Sequence, residues 1–210
     1  MCIVWPWRLA VSSYVAAGKG VVAPVPVCPG CRRLLSRWGG YWRWLRTPGA
    51  EVRIWIRRAR CTRCRVSHAL LPDFLFDRRL DEVATIGQVL ALRAVHNLEL
   101  RTIARRFDLP RATLRAWWGR FGTRWPTLLA ELLDLAVGLD TAPVELRMDG
   151  EAAVFEALDQ AVVRSHARFG KRVGDAWRFW SRISGGQVLR TNTSTSWRHR
   201  PGPSWMGASP

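Results

Sequence analysis

Lysine and long apolar runs are almost missing from this sequence. Of its 33 basic residues only Lys19 and Lys171 are lysines, a bias that genome base composition can produce by itself. No stretch of 18 or more apolar residues occurs, which predicts that no helix crosses a membrane. The five cysteines are too few and too unevenly paired for the disulfide framework of a small secreted protein. We therefore expect a cytoplasmic protein.

Acidic residues are scarce in one half of the chain. Residues 28–124 contain 21 Lys and Arg against 7 Asp and Glu, a net charge of +14 out of +17 for the whole chain. Residues 125–184 contain 7 against 9, a net charge of −2. Base composition accounts for arginine in place of lysine, but it does not explain why acids are missing from one half. Positive charge concentrated in this way favours a polyanionic partner, most often nucleic acid.

Catalytic motifs are missing too. The sequence has no Ser/His/Asp or Cys/His arrangement and no glycine loop of the kind that binds phosphate. Transposases of the acidic-triad type hold two metal ions on a ribonuclease-H-like sheet, but no series of strands is predicted to carry the acids after residue 124. Those acids include Asp134, Asp140, Asp149, Glu151 and Glu156. We predict that the protein is not an enzyme.

Four of the cysteines form two pairs at metal-ligand spacing. Cys28-Pro29-Gly30-Cys31 and Cys61-Thr62-Arg63-Cys64 are separated by 29 residues. Two thiolates spaced in this way reach one ion across a tight turn, and two such pairs complete a tetrahedral zinc shell. Disulfides, core thiols and redox chemistry of a single pair are the alternatives. Because four thiolates leave no open position, such a zinc ion would be structural.

The segment between the two pairs predicts a β-hairpin. Gly39-Gly40 predicts a break among the first strand residues, and Thr47-Pro48-Gly49-Ala50 predicts the turn. In the second strand apolar Val52, Ile54 and Ile56 alternate with Arg53, Trp55 and Arg57, which predicts one apolar and one basic face. Two cysteine pairs joined by a hairpin make a zinc ribbon, which we assign to residues 27–72. We expect His68 to be packed or hydrogen-bonded, since four thiolates already fill the shell.

Residues 100–117 predict two helices joined by a sharp turn, after a helix that runs from about Asp81 to His96. Asp108 stands where the turn needs a left-handed residue, and Pro110 suits a helix start. Leu109, Leu114 and Trp117 are expected to point inward. This pattern is typical of a helix-turn-helix, assigned to residues 80–124, and an ordinary helical hairpin is the alternative.

A helix of this kind fits the major groove of DNA. Arg111 and Arg115 lie one turn apart and are candidates for guanine edges. The candidates for phosphate contacts are Thr113, Arg105, Arg106, Arg120 and Arg124.

The remaining segments complete a fold that we predict to be mostly α with a small N-terminal β zinc ribbon. Helices over 127–137, 151–169 and 173–183 form a C-terminal helical region, 125–190, in which Trp177 and Trp180 pack in the core. Residues 1–26 are expected to be an unstructured lead-in. The tail 191–210 is rich in Ser, Thr, Gly and Pro and is expected to be disordered.

These motifs together resemble a bacterial domain family of unknown function that is associated with insertion sequences. The resemblance rests on both cysteine pairs, the Trp38-Gly39-x-Tyr41 stretch, the run from His68 to Pro72, the two helices and the closing Gly185-Gly186-x-Val188-Leu189-x-Thr191-Asn192-Thr193. It covers residues 27–194. It implies a zinc ribbon with zinc at the four cysteines, followed by a transposase-type helix-turn-helix that contacts DNA through Pro110–Arg120. It implies no known reaction.

The leading hypothesis is a double-stranded DNA-binding protein, either a regulator or a non-catalytic factor associated with a mobile element. A homodimer through the C-terminal helices is compatible with it. One alternative is an RNA-binding or ribosome-associated zinc-ribbon protein, since zinc ribbons and exposed tryptophans also suit RNA. Another is a protein-interaction module.

Overall fold

A computed structural model describes residues 2–190, except for the side chains of Lys171 and Arg172, and about 47% of it is helical. The tail 191–210, predicted to be disordered, lies outside the described residues. The strands are β1 (Cys2–Trp5), β2 (Ser36–Thr47), β3 (Ala50–Arg60) and β4 (Ser67–Pro72). The α-helices are α1 (Val11–Ala17), α2 (Val83–Ala94), α3 (Leu100–Phe107), α4 (Arg111–Gly122), α5 (Trp125–Leu139), α6 (Gly150–Phe169) and α7 (Ala176–Ile183).

The described chain divides into two compact units. The first consists of residues 2–83 together with Ser181–Gln187, and the second of Ala84–Trp180 together with residues 188–190. The helices predicted as two separate domains, 80–124 and 125–190, thus share one unit.

The first unit contains one sheet, in the strand order β1-β4-β3-β2. Strands β2 and β3 form the predicted antiparallel hairpin, which closes at the pair Thr47–Ala50. Ile54 and Ile56 of β3 and Leu45 of β2 are fully buried, while Arg53 is exposed, so the predicted alternation is confirmed. One face of the hairpin therefore supplies the core of this unit.

The first strand of the hairpin differs from the prediction. Gly39-Gly40 does not break it, because β2 continues through a bulge between Arg37 and Gly40, with Gly39 in a left-handed conformation. A Cβ atom on Gly40 would lie 2.6 Å from the Trp55 ring and from the Ile56 carbonyl oxygen. Gly40 is thus needed for a close approach inside a strand.

The N-terminal segment also differs from the prediction, since residues 2–26 are not an unstructured lead-in. Strand β1 pairs in parallel with β4, and Tyr14 of α1 is fully buried, with its ring 5.2 Å from that of Phe74. The Gly and Pro residues between 18 and 26 indicated a loop and concealed this structure. The physical reason is apolar burial, because Cys2, Trp5 and Tyr14 belong to the hydrophobic core of the unit.

Ser181–Gln187, predicted to belong with the C-terminal helices, belongs instead to the first unit. The Arg182 guanidinium lies 2.5 Å from the Asp73 carboxylate, and both side chains are almost fully buried. The Ser181 hydroxyl donates to the Leu75 carbonyl at 2.7 Å, and the Asp77 amide donates to the Gly186 carbonyl at 2.7 Å. Contacts between residues more than 100 positions apart leave no periodic signal in the sequence.

The helices of the second unit follow the prediction closely. Asp108 is left-handed, with φ of 50°, and Leu109, Leu114 and Trp117 are buried, so these predictions are confirmed. Helix α5 begins at Trp125 rather than Thr127, since Pro126 fits the first turn of a helix. Trp180 is fully buried, as predicted, whereas Trp177 is half-buried and packs against Gly87, where a Cβ atom would lie 2.1 Å from its ring.

Candidate metal centre and candidate nucleic-acid interface

The structure brings the four predicted metal ligands together. The Sγ atoms of Cys28, Cys31, Cys61 and Cys64 all lie within 4.8 Å of one another. The Cys31 and Cys61 sulfurs are 3.4 Å apart, and those of Cys28 and Cys64 are 4.0 Å apart. A tetrahedral ion with metal–sulfur bonds of about 2.3 Å needs sulfurs about 3.8 Å apart. The cluster is therefore compatible with a metal site, and all four cysteines are free of disulfides.

The two cysteine pairs have equivalent backbone geometry. The Cys28 amide donates to the Arg33 carbonyl at 2.7 Å, and the Cys61 amide donates to the Val66 carbonyl at 2.9 Å. The residue after each pair, Arg32 or Arg65, has a positive φ of 61° or 56°. These left-handed residues turn each loop so that both of its sulfurs face the same point. Two different sequences thus fold into the same ligand-presenting turn.

The thiols of the cluster differ in acidity. The Cys64 amide donates to the Cys61 sulfur at 3.3 Å, and this bond lowers the pKa of Cys61 to about 6. Hydrogen bonds from the neighbouring thiols, that of Cys31 first, raise the pKa of Cys64 to about 12. One thiolate forms readily, while a cation is needed to hold all four.

His68 lies outside this cluster. Its side chain is packed, with 2% exposed, as predicted. However, neither ring nitrogen has a hydrogen-bond partner among residues 2–190. Of the two predicted states, packed or hydrogen-bonded, the structure therefore has the packed one. Burial lowers its pKa, which keeps the ring neutral.

Helices α3 and α4 present arginines to solvent. Arg105 and Arg106 on α3 and Arg111 and Arg115 on α4 are exposed, and Arg101 shares this property. Within the described part of the chain, none of these five side chains forms a hydrogen bond or an ion pair. Arg101 was not among the predicted residues, although its position one turn before Arg105 is the signal that could have identified it.

The other predicted contacts are less accessible. Arg120 is half-buried and donates to the Ala116 carbonyl at 2.9 Å, and Arg124 donates to the Arg190 carbonyl at 3.2 Å. Thr113 is half-buried in the first turn of α4. These three side chains have less freedom to contact a ligand than the exposed arginines.

The exposed side of α4 combines arginines with small residues. Ala112, Ala116 and Gly119 are exposed beside Arg111 and Arg115. A Cβ atom on Gly119 would have nothing within 4 Å. The helix backbone can therefore approach a surface closely on this side.

Three of the seven hairpin arginines are instead used inside the first unit. Arg43 donates to the carbonyls of Phe76 and Arg79, and Arg57 donates to those of Val21 and Lys19. Arg46 pairs with Asp81 at 3.2 Å and with Glu51 at 3.3 Å.

This arrangement defines a small β-sheet with a four-cysteine cluster, followed by helices that carry exposed arginines. The model of a family described as a domain of unknown function, DUF6431, matches residues 28–117, which include both cysteine pairs, α2, α3 and more than half of α4. No curated protein and no solved structure matches the chain. Within residues 2–190, no helix has both the length and the apolar character needed to cross a membrane.

Proposed function

We propose that the protein binds double-stranded DNA, with α3, the turn at Asp108 and α4 acting as a helix-turn-helix. In this proposal α4 enters the major groove, Arg111 and Arg115 contact base edges, and Arg105 and Arg106 contact phosphates. A role in regulation or in a mobile element rests on sequence resemblance alone and stays a prediction, as does the absence of catalysis.

The observation that carries the proposal is the set of five exposed arginines without partners on α3 and α4. An arginine that has no internal partner keeps all its donors for a ligand, and its planar fork suits guanine edges and phosphates. The small residues beside Arg111 and Arg115 support the same conclusion, because a helix in the major groove needs its backbone close to the bases.

We propose further that the four cysteines hold a structural zinc ion and that residues 27–72 form a zinc ribbon. The support is an all-thiolate donor set at tetrahedral spacing, which suits zinc and leaves no position for water or substrate. The ribbon sets the fold of the first unit, while the proposed DNA contacts belong to the second.

The test is a selection of bound sequences from random duplexes, followed by affinity measurements on variants. Arg111→Ala and Arg115→Ala should each weaken binding to the selected duplex by about 1–3 kcal/mol and relax the base preference. Arg147→Ala is the matched control, since Arg147 is an exposed arginine on the loop before α6. Equal losses of duplex affinity in all three variants would contradict the proposal. So would a selection that enriches no sequence.

A second variant tests the close approach of α4 without removing charge. Gly119→Gln adds a side chain that meets open space in the free protein. It should leave the fold intact and still weaken duplex binding, because the new side chain would lie between α4 and the groove. Unchanged duplex affinity would place α4 outside the interface.

A further inference from the structure

One face of the hairpin carries aromatic rings alternating with cations. The rings of Trp42 and Trp55 form an edge-to-face pair with centroids 5.3 Å apart. The Arg53 guanidinium lies 5.5 Å from the Trp42 ring and 5.7 Å from the Trp44 ring. The Lys19 ammonium lies 5.2 Å from the Trp55 ring. We call these five residues the tryptophan ladder.

The register of the hairpin explains why these side chains share a face. Trp42 pairs with Trp55 and Trp44 with Arg53 directly across β2 and β3. Leu45 and Ile54 alternate with them and belong to the opposite face, which is the buried one. The ladder is therefore on the side of the hairpin that faces away from these core residues.

Two rings of the ladder are exposed to solvent. Trp42 is 39% exposed and Trp44 is 54% exposed, so both rings offer area to a ligand. The Trp55 ring packs against the backbone at Gly40, where a Cβ atom would lie 2.6 Å from it. Burial of exposed aromatic surface is a large source of binding energy, so two solvent-facing tryptophans on one rigid hairpin indicate a binding surface.

The charge of this face limits the class of ligand. Glu51 is the one acidic residue in the sequence between Cys31 and Cys61, and Arg46 neutralises it at 3.3 Å. Arg53 and Lys19 have no acidic partner among the described residues, and both lie against rings. A polyanion that also offers flat faces fits this pattern, and unpaired bases on a phosphate backbone provide both. A duplex does not, because its bases are already stacked on one another.

We propose that the tryptophan ladder binds single-stranded nucleic acid, with unpaired bases stacked on Trp42 and Trp44 and phosphates contacting Arg53 and Lys19. This goes beyond the duplex binding proposed for α4 and uses none of the same residues. DNA and RNA single strands share the chemistry that the ladder recognises.

The test uses the full chain loaded with zinc and two fluorescently labelled 12-nucleotide probes, oligo(dT) and oligo(U). Anisotropy is the suitable readout, since intrinsic fluorescence would mix the signals of 13 tryptophans. Trp44→Ala should weaken binding of at least one probe about 5- to 150-fold, the range for the loss of one stacked base. Trp44→Phe should recover most of that loss. Leu34→Ala is the control, because it removes another exposed apolar side chain of the same unit and should change nothing.

Three outcomes would overturn the proposal. The first is that neither probe binds. The second is that Trp44→Ala binds both probes as tightly as the unchanged chain while zinc content and circular dichroism show an intact fold. The third is that Trp44→Ala abolishes self-association in sedimentation without altering probe binding, which would make the ladder a protein interface.

Binding of the selected duplex separates this proposal from that for α4. Trp44→Ala should leave duplex affinity unchanged, whereas Arg115→Ala should lower duplex affinity and leave the single-strand probes unaffected. If Trp44→Ala lost duplex and single strand equally, the ladder would be part of the duplex interface and the proposal would be wrong. Failure of duplex binding alone would leave the single-strand result intact.

Discussion

The hairpin and helices α3–α4 carry similar numbers of arginines but use them differently. Among the described residues, three of the seven hairpin arginines form hydrogen bonds or ion pairs, against one of the six on the helices. Arg43 and Arg57 donate to backbone carbonyls, and Arg46 pairs with two carboxylates. Arg105 and Arg115 are exposed, and neither side chain has a hydrogen-bond or ion-pair partner among the described residues. Net charge alone does not separate the two groups. What distinguishes a structural arginine from a candidate contact is whether its donors are already used.

Removal of the proposed zinc ion is expected to have the largest effect on this comparison. Structural zinc contributes about 10–16 kcal/mol of apparent binding energy in small domains, and here it would join turns 29 residues apart in sequence. Chelation, or Cys28→Ser with Cys61→Ser, should unfold residues 28–64 and leave α2 to α6 largely folded. Hydrogen exchange resolved by segment measures both regions.

Two results of the hydrogen-exchange experiment would contradict this expectation. Loss of protection in α3 and α4 to the same extent as in the hairpin would mean that the metal orders both regions. Full protection of the hairpin without metal would mean that its apolar face suffices.

The next largest effect is expected when a bonded hairpin arginine and an exposed arginine of α4 are each replaced by alanine. Arg43→Ala removes a buried donor shared by the Phe76 and Arg79 carbonyls, each such charged bond being worth about 1.5–3 kcal/mol. It should lower the free energy of unfolding of the first unit. Arg115→Ala should change stability by less than about 0.5 kcal/mol while weakening duplex binding. Denaturant unfolding and duplex titration of both variants measure this difference.

Equal stability losses in Arg43→Ala and Arg115→Ala would remove the distinction between the two groups of arginines. Loss of duplex affinity in Arg43→Ala, measured where the variant is fully folded, would have the same consequence.

His68→Leu is expected to have the smallest effect. Both ring nitrogens are buried without partners, so an apolar residue of similar size should be neutral or stabilise by about 1 kcal/mol. Because burial lowers the folded-state pKa below 6.5, the unfolded state binds a proton more readily, and stability falls as pH drops below 6.5. The variant should lose this part of the acid sensitivity. Unfolding midpoints at pH 7.5 and 5.5 measure it, and loss of metal would identify His68 as a ligand instead.

Local patterns were sufficient to predict much of the fold and the cluster of four cysteines. Two-residue cysteine spacing, the alternation around Ile54 and the turn chemistry of Asp108 act within a few residues, so each leaves its mark in sequence. The predicted cysteine cluster and the left-handed Asp108 are both present in the structure.

Long-range pairing was the part that could not be predicted. Strand β1 is only four residues long and depends on β4 for its partner, 67 positions away. The ion pair of Asp73 and Arg182 joins positions 109 apart. The tryptophan ladder needed the register of β2 against β3, which one residue of slip would have reversed.

The most direct test of the central claim is the salt dependence of duplex binding by the full chain. The logarithm of the binding constant should fall linearly with the logarithm of salt concentration, with a slope of about −0.9 per phosphate contacted. Arg105→Ala with Arg106→Ala should reduce that slope by about 2 without changing the preferred sequence. A slope near zero, or a double variant with the slope of the unchanged chain, would contradict duplex binding through α3 and α4.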